Sequence, residues 1–540
     1  MKHGKYISLA LVGLAGLALA GCASSSAAGD AKQTVNLMSS QQVGTLDTSM
    51  ATQIQDLQVA NNTQEGLYQL KGSTDVTPGI AKDVVKPTNN GTVYTFHLRA
   101  DAKWSNGDPV TAQDFVYGWR RTVTPSTKSS HAYLYAPVKN ANAIETGKKA
   151  PDSLGVKALD KDTLQVTLNS ATPYFKYLVA FTTFFPQNQK TVEKYGSAYG
   201  TSSDKMVYDG PFTLNNWNSS KNSWTLNKNK DYWDKDNVKL DTVNYQVEKD
   251  PQTALSQYQA KKLDSVTLNG QQAAEEKHQP GYTTYSGGQT DFLALNFRTK
   301  ALQNKNIRQA LSLSIDRKAL VDNVLKNGSK VPTGYLPHDA TKNPTTGKDF
   351  ADDTDTASAV KYDPKAAKLL WIKGLKQLGT KSMTLRYLGF DDEKNYAEYV
   401  QAAAEKLPGL KVSVTLLPQT QAVTKMQSGN GFDLVSFGFT QSYPDLSDWM
   451  PHFVTNNGIN MGAYSNKSYD ADVNAAATTD ASNPQKRYAD FQDAEKTLMN
   501  DQAIIPLDEG QSVYLNNPNL KNLSYEGSSG LYLKNAYLAK

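Results

Sequence analysis

Between residues 383 and 439 the hydrophobic period switches repeatedly, and this constrains the fold more than any other feature of the chain. MTLRYLGF (383–390) alternates apolar and polar residues, as a half-buried strand does. In KNYAEYVQAAAEKL, Tyr396, Val400, Ala403 and Leu407 recur at helical spacing, and Pro408-Gly409 ends the run. LKVSVTLL alternates again through Leu410, Val412, Val414 and Leu416. A shorter helix with Ala422, Val423 and Met426 then leads into FDLVSFGF (432–439). Strand, helix, strand, helix, strand predicts a parallel sheet with right-handed crossovers, so the expected fold class is α/β. Ligands of such sheets bind beyond the carboxyl ends of the strands. The loop GFTQSYPD (438–445) is therefore a candidate ligand contact.

Other stretches read as shorter elements. VNLMSS (35–40) and VYTFHLR (93–99) are strands, and FTL (212–214) with WTL (224–226) forms a hairpin across a polar turn. Thr111, with Asp114 three residues on, predicts a helix start, and Phe115, Val116, Trp119 and Val123 give that helix an apolar face.

The N-terminus reads as an address. Lys2 and Lys5 precede an apolar run from Ile7 to Ala20, shorter than the roughly 20 residues a membrane-spanning helix needs. It has the flanks of a secretory signal. Leu19-Ala20-Gly21-Cys22 resembles the bacterial lipobox, in which the cysteine is diacylated and becomes the new N-terminus. The expected divisions are a signal peptide over 1–21, then lipidated Cys22 and a flexible tether over 22–34. Cys22 is the single cysteine of the 540 residues, which excludes intrachain disulfides, thiolate clusters and CxxC redox pairs. The formal net charge of +5 is spread along the chain without a polybasic block, so nucleic acid is not an expected partner.

Chemistry-bearing motifs are absent. There is no P-loop, so an ATPase would have to be a separate subunit, and no GxSxG, HExxH or DxDxDG. The six histidines (3, 97, 131, 278, 338 and 452) lack metal-ligand spacing, and only His338 and His452 lie where they could reach a cleft. Asp352-Asp353 and Asp391-Asp392 read as solvated, and Arg308 with Asp316 as a solvated or ion-paired helix. No cofactor, metal or enzymatic reaction is expected.

Several phrases together resemble one family. YTFHLRADAKWSNGDPVTAQDFVYGWRR (94–121) is similar to the signature region of bacterial extracellular solute-binding proteins of the oligopeptide-binding type, family 5, which serve ABC importers. EGLYQL (65–70), DGPFTLNNW with NKNKDYW (209–233), IRQALSLSIDRKALV (307–321), AIIPLDEG and LKNAYL follow in family order. The resemblance covers the chain from about residue 35 to its end.

It implies a two-lobed, periplasmic-binding-protein-like α/β fold (class II, cluster C) with a peptide held between the lobes. Lobe 1 would run over 35–290 with a subdomain inserted at about 70–200, lobe 2 over 291–510, and 511–540 would return to lobe 1. The implied partners are an oligopeptide, the permease of an ABC importer with separate ATPase subunits, and a membrane reached through the lipid anchor. A monomer is implied. Ala23 after the anchor, where inner-membrane lipoproteins usually carry Asp, points to a Gram-positive cell surface.

The implied ligand contacts fall on named positions. Gly438 and Thr440 would offer backbone groups, and Phe439 would line a side-chain pocket. The family's Asp that pairs with the peptide α-amine falls on Ser442, beside Tyr443, and a hydroxyl cannot neutralise an ammonium. Asp445 could take over, the peptide could bind in another register, or the cargo could differ. The expectation is that one α-ammonium is not the dominant anchor. Thr52, Ile54 and Asn269 match further contact positions. A same-fold binder of a metal chelate, haem or oligosaccharide, a surface pheromone sensor or adhesin, and a secreted hydrolase stay open as alternatives.

Overall fold

The computed structural model describes residues 32–72, 75–525 and 530–540. The signal segment, Cys22 and most of the tether lie outside them. Among the described residues no helix is long and apolar enough to cross a membrane.

The first sheet has four strands, in the order Thr34–Ser39, Thr242–Val247, Ser223–Lys228 and Phe212–Asn215. The outermost pair, Thr34–Ser39 with Thr242–Val247, is parallel and the other pairs are antiparallel. Alternation decides its faces: Val35, Leu37, Leu226, Val243 and Phe212 all point into one core. Leu520, Leu531, Leu533 and Ala536 from the end of the chain pack into the same core.

A second core gathers residues between Ala51 and Phe184. Its sheet orders the strands Val93–His97, Thr163–Thr167 and Val156–Ala158, and the helix Ala112–Val123 packs on it. The Asp114 carboxylate accepts from both the N–H and the hydroxyl of Thr111, as the helix-start signal predicts. Phe115, Val116, Trp119 and Val123 are all buried, and the Trp119 indole donates to the Phe184 carbonyl at 2.7 Å.

The third sheet has six strands, in the order Ser265–Leu268, Ile504–Asn516, Tyr282–Leu295, Leu434–Thr440, Met383–Phe390 and Leu410–Leu417. The last three are the strands of the alternating 383–439 unit, and they are parallel to one another as expected. The sheet as a whole is mixed, because Leu434–Thr440 runs antiparallel to Tyr282–Leu295, which runs antiparallel to Ile504–Asn516. The helix Lys394–Ala404 buries Tyr396, Val400 and Ala403 against it.

One expectation is corrected. Arg308 is not solvated and forms no ion pair among the described residues: it is 5% exposed, and its guanidinium donates to the carbonyls of Leu302, Gln303, Asp501 and Gln502. Helix carbonyls and turn carbonyls, left without N–H partners, supply the cage. Arg308→Met keeps the stem but removes every donor. Urea denaturation should show a loss of about 2–3 kcal/mol, the scale of hydrogen bonds to a charged group.

Candidate functional site

A small pocket, partly open to solvent, is lined from two sides. Leu70 and Gly72 come from the hairpin Tyr68–Lys71/Asp75–Pro78 on the 51–184 core. Tyr285, Ser286, Gly287 and Gly288 come from the long strand of the six-stranded sheet, and Gln441, Ser442, Tyr443 and Pro444 from the loop after Leu434–Thr440. The loop therefore lies where the sheet topology predicts it, beyond a carboxyl end.

Beside this cavity the two sides touch. The ring of Tyr443 stacks on Tyr174 with centroids 5.3 Å apart, and Tyr443 packs against the 51–184 core. Arg487 donates to both carboxylate oxygens of Asp445 and lies 4.9 Å from the centroid of Phe491. Burial pushes the Asp445 carboxyl up, but the Arg487 charge and its hydrogen bonds outweigh burial and hold it below the ordinary value. Asp445 is thus already neutralised by the protein, which removes the sequence-based reason for offering it to an amine.

The other candidates occupy varied surroundings. Thr440 is exposed at the strand end, while Phe439 packs edge-on to Trp449 and has the His452 ring 4.0 Å away. Burial lowers His452 to about 4, so the imidazole is neutral, and its Nδ1 lies 3.1 Å from the Tyr335 hydroxyl. Gly438 has a structural reason to be glycine: a Cβ there would meet Asp291 Oδ1 at 2.1 Å. Thr52 and Ile54 are exposed and Asn269 caps the helix Gly270–Glu275 by accepting from the Gln272 N–H; none of the three lines the cavity. His338 is held by Glu509 at 2.8 Å, and that hydrogen bond raises it to about 9. Among the described residues no group of histidines, cysteines and acids is arranged to hold a metal.

Residues 75–461 match the family of bacterial extracellular solute-binding proteins, family 5, through its middle region. The chain belongs to this family. Along its whole length it is 36% identical to the whole of a dipeptide-binding protein of Lactococcus lactis subsp. cremoris. The substrate-binding domain of an oligopeptide ABC transporter from Bacillus anthracis superposes with a TM-score of 0.78 at 35% identity, covering 94% of this chain and 99% of that one. The pheromone receptor PrgZ, whose mode of peptide binding has been solved, superposes with a TM-score of 0.79 at 35% identity, covering 94% and 100%. The family's two-lobed α/β fold with mixed sheets is the fold of this chain, and family 5 is a family of binding proteins rather than of enzymes.

Sequence reading missed the acids behind the loop. Asp291 and Asp508 are cross-strand neighbours in the long antiparallel pair, Asp508 buried and Asp291 half-buried, and neither forms a salt bridge among the described residues. Burial raises both carboxyls; the charge of Asp508 adds to the rise at Asp291, and those of Glu509 and Glu393 to the rise at Asp508. A carboxyl raised in the folded state stabilises it below the ordinary carboxylate range, and that stabilisation is lost as pH rises through about 6 to 7. Asp291→Asn, neutral at every pH, should flatten this decline and raise the urea midpoint at pH 8. Midpoints at pH 5 and pH 8 measure it, and an unchanged difference between them would refute the assignment.

Proposed function

We propose that the protein is an extracytoplasmic receptor that encloses oligopeptides between two lobes and delivers them to an ABC import permease. Lobe 1 spans 35–290 with the subdomain at about 70–200, lobe 2 spans 291–510, and 511–540 returns to lobe 1; lipidated Cys22 tethers the protein to the membrane. The observation that carries the reading is the cavity with walls from both sides, next to the Tyr174–Tyr443 contact. Thr440, Phe439, Ser442 and Tyr443 are the loop residues that would meet the peptide. The names of the relatives, which bind dipeptides, oligopeptides and a peptide pheromone, support peptide as cargo.

Closure then works as a population shift, since a ligand touching both walls favours the state in which they approach. The pivot belongs where the chain crosses between the lobes. Both crossings lie in the paired strands Tyr282–Leu295 and Ile504–Asn516, and their register slips between Ser286 and Gln289, with Gly510 opposite Gln289. Bulges of this kind bend a ribbon locally. Gly288 has φ +63°, and a Cβ there would stand 2.8 Å from Gln441 Oε1. Gly288→Ala should therefore weaken peptide binding several-fold in a titration while leaving the far-UV spectrum unchanged.

Peptide sensing without nutrition is a second reading, favoured by the likeness to the pheromone receptor. Native mass spectrometry of the purified protein should find peptides retained, and a bile acid, haem or sugar in their place would refute peptide capture. Deletion of the gene should abolish uptake of a labelled tetrapeptide; unchanged uptake would favour sensing.

A further inference from the structure

The helix Pro364–Leu378 packs on the helix Lys305–Ser314 and turns its other face to solvent. Asp363 caps its start by accepting from the Ala366 N–H, and Gly379, with φ +69°, ends it. Ala367, Trp371, Gly374 and Leu375 point inward. The Trp371 indole donates to the Pro408 carbonyl at 2.8 Å, and a Cβ on Gly374 would stand 2.6 Å from Ile307 Cδ1. That close fit fixes the rotation of the helix, and with it the residues that face outward.

The outward face combines two features that usually exclude each other. Leu369 is 71% exposed, more than any other large hydrophobic residue among those described, and Ile372, one turn on, is 48% exposed. Lys365, Lys368, Lys373 and Lys376 surround this pair; all four are exposed and none forms a salt bridge among the described residues. At about 100° per residue the six side chains share an arc of roughly 140°. Residues 361–381 hold six lysines and one aspartate, a net +5 that equals the net charge of the entire chain. The aspartate, Asp363, is already taken by its cap and by Lys361 at 3.3 Å. No two of the lysines are adjacent in sequence, so the run reads as dispersed charge until the helix gathers it.

A partner held by charge alone would need only the lysines, and an apolar partner would not tolerate four like charges around the aliphatic pair. An anionic bilayer surface uses both, because lysine stems lie along apolar surface while their ammonium ends reach headgroup phosphates. We propose that the outward face of Pro364–Leu378 docks on an anionic lipid bilayer, with Leu369 and Ile372 entering the interface and the four lysines meeting lipid phosphates. This rests on the reading of the protein as membrane-tethered and deepens it. Ten residues separate Cys22 from the first described residue, a reach of at most roughly 36 Å, so a tethered fold stays near the surface. None of the six residues lines the pocket between the two sides, so docking leaves it free for peptide.

The test uses residues 23–540, which hold every described element without the apolar leader or the anchor. The protein should sediment with vesicles of phosphatidylglycerol and phosphatidylcholine in equal parts, and not with vesicles of phosphatidylcholine alone. Each lysine near such a surface is worth roughly fivefold in partition, so Lys365→Gln, Lys368→Gln, Lys373→Gln and Lys376→Gln combined should lower it by roughly two orders of magnitude. Leu369→Ser with Ile372→Ser should lower it roughly tenfold and leave its salt dependence unchanged, since the charges remain. Both variants keep the buried face of the helix, and their far-UV spectra are the control for folding. Equal partition onto both kinds of vesicle, or unchanged partition in either variant, overturns the proposal. So does binding of polyglutamate or duplex DNA where the anionic vesicles are not bound. The readings beneath it fail separately: an intact mass without a diacylglyceryl group in protein taken from its own cells overturns the anchor, and absence of peptide binding overturns the receptor. Neither result decides the vesicle experiment.

Discussion

The six-stranded sheet depends on the antiparallel pairing of Tyr282–Leu295 with Ile504–Asn516, two segments separated by the whole of 296–503. Without it the sheet falls into two pieces, Ser265–Leu268 with Ile504–Asn516, and Tyr282–Leu295 with the parallel unit of 383–439. Closing so long a loop is entropically expensive, though the cost grows only logarithmically with length. Both strands are accordingly apolar over much of their length, with Phe292, Leu293, Leu295, Ile504, Ile505 and Leu507 buried. Pro506, which has no N–H to give the ladder, sits opposite Phe292, where the register slips past Leu507. Its carbonyl is not idle, for it accepts from Arg317.

Charge burial follows two patterns in this molecule. Arg308 and Arg317 are buried among backbone carbonyls, and Arg386 with Asp433 and Arg487 with Asp445 neutralise each other. In the Arg487–Asp445 pair removing either partner leaves a desolvated charge, whereas in the Arg386–Asp433 pair only the carboxylate is buried. Asp291, Asp508 and Asp448 are different: none forms a salt bridge among the described residues, and each is raised by burial. Two of them face each other across a ladder, where protonation relieves the conflict. The third accepts from the backbone N–H groups of Ser442 and Tyr443 and so braces the loop.

Local pattern made part of this legible. The 383–439 unit, the Thr111–Asp114 helix start and the 212–226 hairpin all depend on residues close in sequence, and all three appear in the structure. The placing of the 438–445 loop beyond a strand end also followed from local order. What escaped was non-local. Nothing in TDFLALNF announces that Asp291 will face Asp508, or that the strand will reverse the direction of its sheet. Asn269 was offered by the family resemblance, and its capping bond from the Gln272 N–H is a feature of the folded chain.

The strength of the seam bears on how such a receptor works. One aromatic stack contributes roughly 0.5–1.5 kcal/mol beyond its area, and the Tyr174–Tyr443 contact is of that kind. Moving a two-state equilibrium from 1:99 to 99:1 takes about 5.5 kcal/mol of differential affinity. A stack alone falls well short, so it can bias closure without locking it. Neutral hydrogen bonds at about 1 kcal/mol each would need to be several to close the gap.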